Sequence, residues 1–177
     1  MMKMQKLTIL AVALAAFSVG QGLSGRRAPS FALPDSSLKQ YDILDYRGRW
    51  LLIDYMKTDR PASKTLSKDL DKLKARMGAK VGILSIVLPP DNTATVAKYI
   101  SETRTTIPIL FDSSQSAMWY FKATPQRPSF DSPHLFAIDP QGMMVQDWNQ
   151  SDIERGGYMP QVEALVTRGS GGSGGKK

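Results

Sequence analysis

Hydrophobic and polar positions fall into blocks along the chain, and the period within each block predicts an element. Trp50-Leu-Leu-Ile-Asp-Tyr55 is a nearly continuous apolar run of strand length and predicts a buried strand. From Pro61 to Met77 the period changes. Leu66, Leu70, Leu73 and Met77 recur at i, i+4, i+7 and i+11, the core face of a helix, and Pro61 suits its first turn. Lys80 to Leu88 predicts a second buried strand, ended by Pro89-Pro90. Asp91 or Asn92 then caps a helix running to about Glu102, with Val96, Tyr99 and Ile100 inward. Ile107 to Phe111 predicts a short strand and Ser113 to Lys122 a short helix. Pro133–Asp139 and Met143–Trp148 predict two strands joined through the turn-rich Asp139-Pro-Gln-Gly142. A closing helix is expected from Met159 to Arg168. Strands alternating with helices, then a hairpin and a final helix, imply an α/β fold with a central mixed sheet and helices on both faces.

The two ends depart from this pattern. Residues 1–20 carry Lys3 and Lys6, an apolar run from Leu7 to Val19, and small residues after it, the layout of a signal peptide. The run is short for the ~20 residues a spanning helix needs. Extension to Leu23 would nevertheless allow it to be retained as an anchor, so cleavage near Gln21 and retention both stay open. Either way the folded part is expected outside the cytoplasm, periplasmic or otherwise extracytoplasmic. Residues 169–177 are a Gly/Ser/Lys tail with linker composition. Between the ends, residues 26–168 read as one domain, which suits a chain of 177 residues.

Charge and composition then narrow the chemistry. The net charge of +7 includes Lys3, Lys6, Lys176 and Lys177, and without those four the balance is +3. That value is ordinary for a domain of this size, so the charge is no argument for nucleic acid. The chain has no cysteine and one histidine, His134. Disulfides, thiolate nucleophiles, iron–sulfur clusters and thiolate zinc sites are excluded, no metal is expected, and nothing in the sequence calls for a cofactor.

The segments RAPSFALPD (27–35), LDYRGRWLLIDYM (44–56), YISETRTTIPILFD (99–112) and SPHLFAIDPQG (132–142) together resemble an exported thioredoxin-like family. The nearest branches are the periplasmic thiol–disulfide oxidoreductases and the alkyl hydroperoxide reductase/peroxiredoxin group. The resemblance implies a thioredoxin-like fold over residues 27–167 and a cis-proline at Pro133, flanked by Ser132 and His134. It also implies where the redox motif W-C-x-x-C would lie, at Asp59-Arg60-Pro61-Ala62-Ser63. Arg60 and Ser63 occupy the two thiol positions, so thiol–disulfide exchange and cysteine-based peroxidase chemistry are impossible, as is copper transfer by relatives that use two cysteines and a histidine. An acidic residue near the cysteines assists proton transfer in the oxidoreductases, and Asp54 matches its strand position.

Several residues remain as candidates for other work. Arg60 with the helix-head amides can hold an anion, or Asp59 can simply cap the helix with Arg60 in solvent. Backbone beside Ser132 and Pro133 can pair with an extended peptide, or the proline can serve the fold alone. His134, Asp112 and Asp139 read as structural hydrogen-bonding residues. Arg60, Lys64, Lys68, Lys72 and Arg76 form a basic stripe, suited to an acidic partner or an anionic membrane surface, and equally to solvent. Met118-Trp119-Tyr120-Phe121 cannot all be buried by a short helix, so one or two are expected to be exposed. Two functions follow. The first is a non-catalytic binding or accessory structural subunit of a periplasmic or membrane-associated complex, redox-inactive and with a protein partner. The alternative is a small-ligand protein or enzyme rebuilt around Arg60, Ser63 and His134, which requires those three side chains to converge.

Overall fold

The computed structural model describes residues 23–124, 126 and 130–168. The N-terminal segment read as a signal peptide or anchor, the Gly/Ser/Lys tail and most of the Pro125–Ser129 stretch lie outside the described residues.

Among the described residues eight strands and five α-helices follow the chain: β1 (Arg26–Arg27), β2 (Ala32–Pro34), β3 (Gln40–Asp42), β4 (Trp50–Met56), α1 (Pro61–Met77), β5 (Val81–Val87), α2 (Thr93–Thr103), β6 (Ile109–Phe111), α3 (Gln115–Tyr120), β7 (His134–Ile138), β8 (Met143–Trp148), α4 (Gln150–Arg155) and α5 (Met159–Arg168). Six strands form one sheet in the order β1-β8-β7-β4-β5-β6, and β2 with β3 forms a separate hairpin. β4, β5 and β6 run parallel, while β7 lies antiparallel to β4 and β8 to β7. The sheet is therefore mixed, as the block pattern implies.

Strands β4 and β5 are buried at all seven positions. Helices cover both sheet faces, which removes the polar alternation of a half-exposed strand. On one face Leu66, Leu70 and Leu73 of α1 pack with Leu52, Ile83, Leu135 and the α5 residues Val162 and Val166. On the other, Ile53, Tyr55, Leu84, Leu110 and Phe136 meet Ala117 and Tyr120 of α3. A third cluster joins Val96 and Tyr99 of α2 to Met56, Val87 and Ile109.

Two local expectations need correction. Ile100 is not inward but 39% exposed, because the buried face of α2 steps from Val96 to Tyr99 and a further 100° turn carries Ile100 off it. Asp59 does not cap α1. Arg60 takes that position with φ −88° and ψ 126° and provides no side-chain cap bond. The residue before a proline is pushed into extended backbone, so Pro61 at the first helical position makes its neighbour the cap.

The core also needed elements that the block pattern does not announce: β1, the β2–β3 hairpin, the 3-10 turn Ile43–Tyr46 and α4. The turn carries Tyr46, whose ring crosses β5 at Gly82. A Cβ built on Gly82 would lie 2.1 Å from Tyr46 Cδ1. Gly82→Ala is therefore expected to cost about 1–3 kcal/mol through displacement of that ring. Denaturant unfolding of this variant and of Gly82→Ala/Tyr46→Ala checks it: the second substitution should recover much of the added loss, and a neutral single variant refutes the packing account.

Candidate functional site

The C-terminal ends of β4 and β5 converge with the segment before β7, and every candidate position of the redox motif lies there. After β4 the chain turns through Lys57–Arg60 into α1. Asp91, just before α2, fastens this turn: its carboxylate accepts from Thr58 N at 3.1 Å, from the Thr58 hydroxyl, and from Thr95 Oγ1 at 2.8 Å. Asn92 then caps α2 by accepting from Ala94 N and Thr95 N.

Ser63, one turn into α1, is fully buried. Its hydroxyl oxygen accepts weakly from Lys57 N at 3.4 Å, and its carbonyl accepts from the Tyr99 hydroxyl at 2.8 Å. The sheet beneath α1 carries Asp54, also fully buried. Ser85 Oγ donates to Asp54 Oδ2 at 3.5 Å, while Oδ1 has no partner among the described residues. Burial pushes this carboxyl up to about 8, against the opposing effects of the Ser85 hydrogen bond and the His134 charge. Asp54 is thus a largely neutral acid at pH 7. Burial also raises Tyr99, which faces Ser67 and Asp54.

Arg60 is exposed and borders a separate surface cleft with Pro61, Thr65, Ile153 and Glu154. The rest of the basic stripe is mostly matched by acids of the same chain. Lys64 pairs with Glu102 at 2.6 Å, Lys72 with Asp69 at 3.2 Å, and Arg76 with Glu163; Lys68 stands exposed on the same face. Pairs of this kind on an outer helix face contribute little to stability and leave a weaker field than the sequence stripe suggests.

The Ser132–Pro133 peptide is cis, as is Pro89–Pro90. Ser132 Oγ donates to Tyr55 O at 3.2 Å, tying this segment to the end of β4. Met56, Lys57, Leu88, Pro89, Phe130 and Ser132 line a cleft of about 240 Å³ between the two cis prolines. Its lining is mixed, with Lys57, Ser114, Asp131 and Ser132 among the apolar residues.

His134 lies on the α3 side of the sheet, its ring stacked on Phe136 at 4.4 Å and edge-on to Phe121 at 4.9 Å. Nδ1 faces Asp131 Oδ1 at 2.7 Å and Nε2 faces Asp147 Oδ2 at 3.0 Å. Burial alone would lower the imidazole pKa, but the hydrogen bonds to Asp131 and Asp147 outweigh it and leave the pKa raised. Burial likewise opposes ionisation of Asp131, and the hydrogen bond and charge of His134 hold that carboxyl below its ordinary value. Both ring nitrogens facing carboxylates is the arrangement an imidazolium satisfies. Asp131 Oδ2 also accepts from Gln150 N at 3.0 Å, so the cluster joins the cis-proline segment, β8 and α4.

The three residues of a rebuilt site do not converge. Arg60 faces solvent, Ser63 is sealed beneath α1, and His134 is on the opposite face of the sheet with both nitrogens engaged. Two other acids also serve local structure. Asp112 accepts from Gln115 N, Ala117 N and Ser116 Oγ at the start of α3. Asp139 closes the β7–β8 turn by accepting from Gln141 N and Met143 N. Of the aromatic run, Met118 and Trp119 are exposed. Tyr120 is not surface: it is fully buried, its hydroxyl donating to Pro29 O at 3.0 Å. One helical step separates the exposed edge at Trp119 from the core face at Tyr120.

Sequence reading missed Asp131 and Asp147 as partners of His134, and it found Asp91 only as a candidate cap of α2, not as the fastening of the Thr58 turn. Asp131 stands three residues before His134, a spacing that hints at a local contact. Asp147 gives no such hint, since only the Phe136–Asp147 register of β7 and β8 brings it to the ring.

With this geometry in place, the comparisons define the class. The chain belongs to the AhpC/TSA family, which it matches over residues 24–146. Solved structures with the same thioredoxin-like fold include a putative thiol:disulfide interchange protein DsbE from Chlorobium tepidum, 18% identical, with TM-score 0.64, covering 84% of this chain and 99% of that one. Peroxiredoxin Q from Xanthomonas campestris is 18% identical with TM-score 0.67, covering 83% and 98%. A putative protein disulfide isomerase from Bacteroides thetaiotaomicron is 16% identical with TM-score 0.66, covering 83% and 92%. No curated protein matches the chain at a significant level. Among these relatives the chain is a member without cysteine.

Proposed function

We propose that this chain is a non-catalytic, thioredoxin-like binding subunit, exported and held in a periplasmic or membrane-associated assembly, that receives a protein partner at the cleft beside Pro133. One observation carries the reading: the thiol positions hold Arg60 and Ser63, while the surrounding scaffold keeps its cis-proline segment, its buried Asp54 and an open cleft. Backbone recognition of an extended segment needs no thiol. A lining that mixes apolar residues with Lys57, Ser114, Asp131 and Ser132 suits a peptide of mixed character. The paired charges of α1 make the helix stripe the weaker docking route. Export rests on the two lysines and apolar run of residues 1–20. No helix among the described residues is long and apolar enough to cross a membrane, so attachment falls to that N-terminal segment.

Purification of the full chain from its native membranes is expected to bring down one partner in fixed stoichiometry. Lys57→Glu, which reverses a charge at the cleft without touching the core, should weaken that association about tenfold, or ~1.4 kcal/mol. A partner-free monomer, or a complex indifferent to Lys57→Glu, rejects the cleft as the docking site.

A further inference from the structure

Arg26 fastens the start of the described chain to the end of α3. Its Nε donates to Leu23 O at 3.0 Å, and Nη2 donates to Trp119 O at 2.9 Å and to Tyr120 O at 2.7 Å. Gly25 N donates to Met144 O at 2.7 Å, and Leu23 packs against the α3-side cluster. The point where residues 1–22 join the domain is therefore fixed beside α3. That helix shows solvent an apolar edge, Met118 at 48% and Trp119 at 52% exposed, whereas Trp50 and Trp148 are buried.

Only Gly20, Gln21 and Gly22 separate Leu23 from the apolar run Leu7–Val19. Four Cα-to-Cα steps span at most ~14 Å. The polar layer on each side of a bilayer is about 5–8 Å thick. If the run is inserted, the polar layer takes up about 5–8 Å of that reach, so Leu23 and the end of α3 beside it stay within about 9 Å of the headgroup surface. The run is also shorter than a typical hydrocarbon core, and such a mismatch draws the flanking residues toward the bilayer. Lys3 and Lys6 precede the run, and positive charge favours the cytoplasmic side, which leaves the domain outside.

The geometry points to the Met118–Trp119 edge of α3 as a membrane-contact surface, seated in the headgroup layer of the bilayer entered by the chain's own N-terminal run. Tryptophan suits that layer because its ring is apolar while its N–H still finds polar partners. The inference rests on the N-terminal segment being retained, one element of the proposed function, and is independent of what docks at the Pro133 cleft.

The test uses the full chain in vesicles of phosphatidylethanolamine and phosphatidylglycerol, with and without lipids brominated high on the acyl chain. Tryptophan emission should shift to shorter wavelength relative to detergent solution, and brominated lipid should quench it. Both effects should be lost in Trp119→Phe, which removes the exposed indole and leaves Trp50 and Trp148 as the internal reference. Equal quenching of parent and variant, with the chain resistant to alkaline extraction, overturns the contact while anchoring stands. Release of the chain by alkaline extraction of native membranes overturns both anchor and contact and leaves the cleft reading intact. Protection of Trp119 from aqueous acrylamide that grows with protein concentration, without quenching by brominated lipid, assigns the edge to a second copy and also overturns the proposal.

Discussion

Stability is expected to peak in acidic solution, at about pH 4, and to fall by several kcal/mol toward pH 9. The cause is Asp54, whose carboxyl is raised by burial from 3.8 to about 8 in the folded chain. Between those values the native state binds a proton that the unfolded chain has released, so the slope of stability against pH is negative. The benefit is complete below the unfolded pKa and gone once pH passes the folded one. A shift of that size corresponds to on the order of 5 kcal/mol at ~1.4 kcal/mol per unit, an upper bound once water reaches the site. The raised His134 pKa acts in the same direction, its stabilisation being full below about 6.5 and lost as pH rises through the folded value. On the acid side, the lowered Asp131 pKa has the opposite sign: its stabilisation is present above about 4 and lost as pH falls through the folded value. Asp54→Asn keeps the shape and has no proton to release. Urea titrations across pH 5–9 should show most of the fall removed in this variant, and a parent curve that stays flat contradicts the neutral, buried state of Asp54.

His134→Leu is the second large effect, a loss of about 3–5 kcal/mol at pH 6. The ring is buried between two carboxylates, and removing it leaves the nearly buried Asp147 facing a leucine. Asp147 Oδ1 already lacks a hydrogen-bond partner among the described residues, so without the ring the carboxylate is left with the Arg26 charge alone to oppose its burial. Replacing both residues by leucine should recover much of the loss, because a paired ion and well-packed apolar groups differ far less than a paired and an unpaired ion. Chemical denaturation of the single and double variants measures this. A single-variant loss below about 1 kcal/mol would show that the ring and carboxylates are not coupled.

The main elements were legible because their apolar periods are strong. The bounds of α1, β8 and α5 agree with those read from the sequence, β4 differs by one residue at one end, and β5 by one at each end. Of the short elements, β6 and α3 were read a little too long at their ends and the others were not legible. β1 has two residues and β2 and β3 three each, too few for a period to register, and the 3-10 turn at Ile43 owes its place to packing against β4. At the site, Ser63, Asp54 and cis-Pro133 were found through a resemblance, whereas the partners of His134 came only with the sheet. Sequence gives neighbours along the chain. Asp147 reaches His134 across a strand pairing, and Arg26 reaches Trp119 across 93 positions.

The two rims of the main sheet have a consequence for how this molecule can self-associate. One rim is β1, only two residues long, and the other is β6, three residues long and bridged at Leu110 by Asp35 from outside the sheet. β1 pairs only with Met143 and Met144 of β8, and β6 only with Ser85–Val87 of β5, so each rim is a stepped edge rather than the long straight row from which a neighbouring chain readily continues a sheet. Growth by strand addition into fibres is thereby blunted at both ends, even though the middle strands β4 and β5 are as apolar as many aggregation-prone segments. Association between folded copies of this protein must then proceed through side-chain surfaces, and its most amyloid-like sequences stay hazardous only while the chain is unfolded.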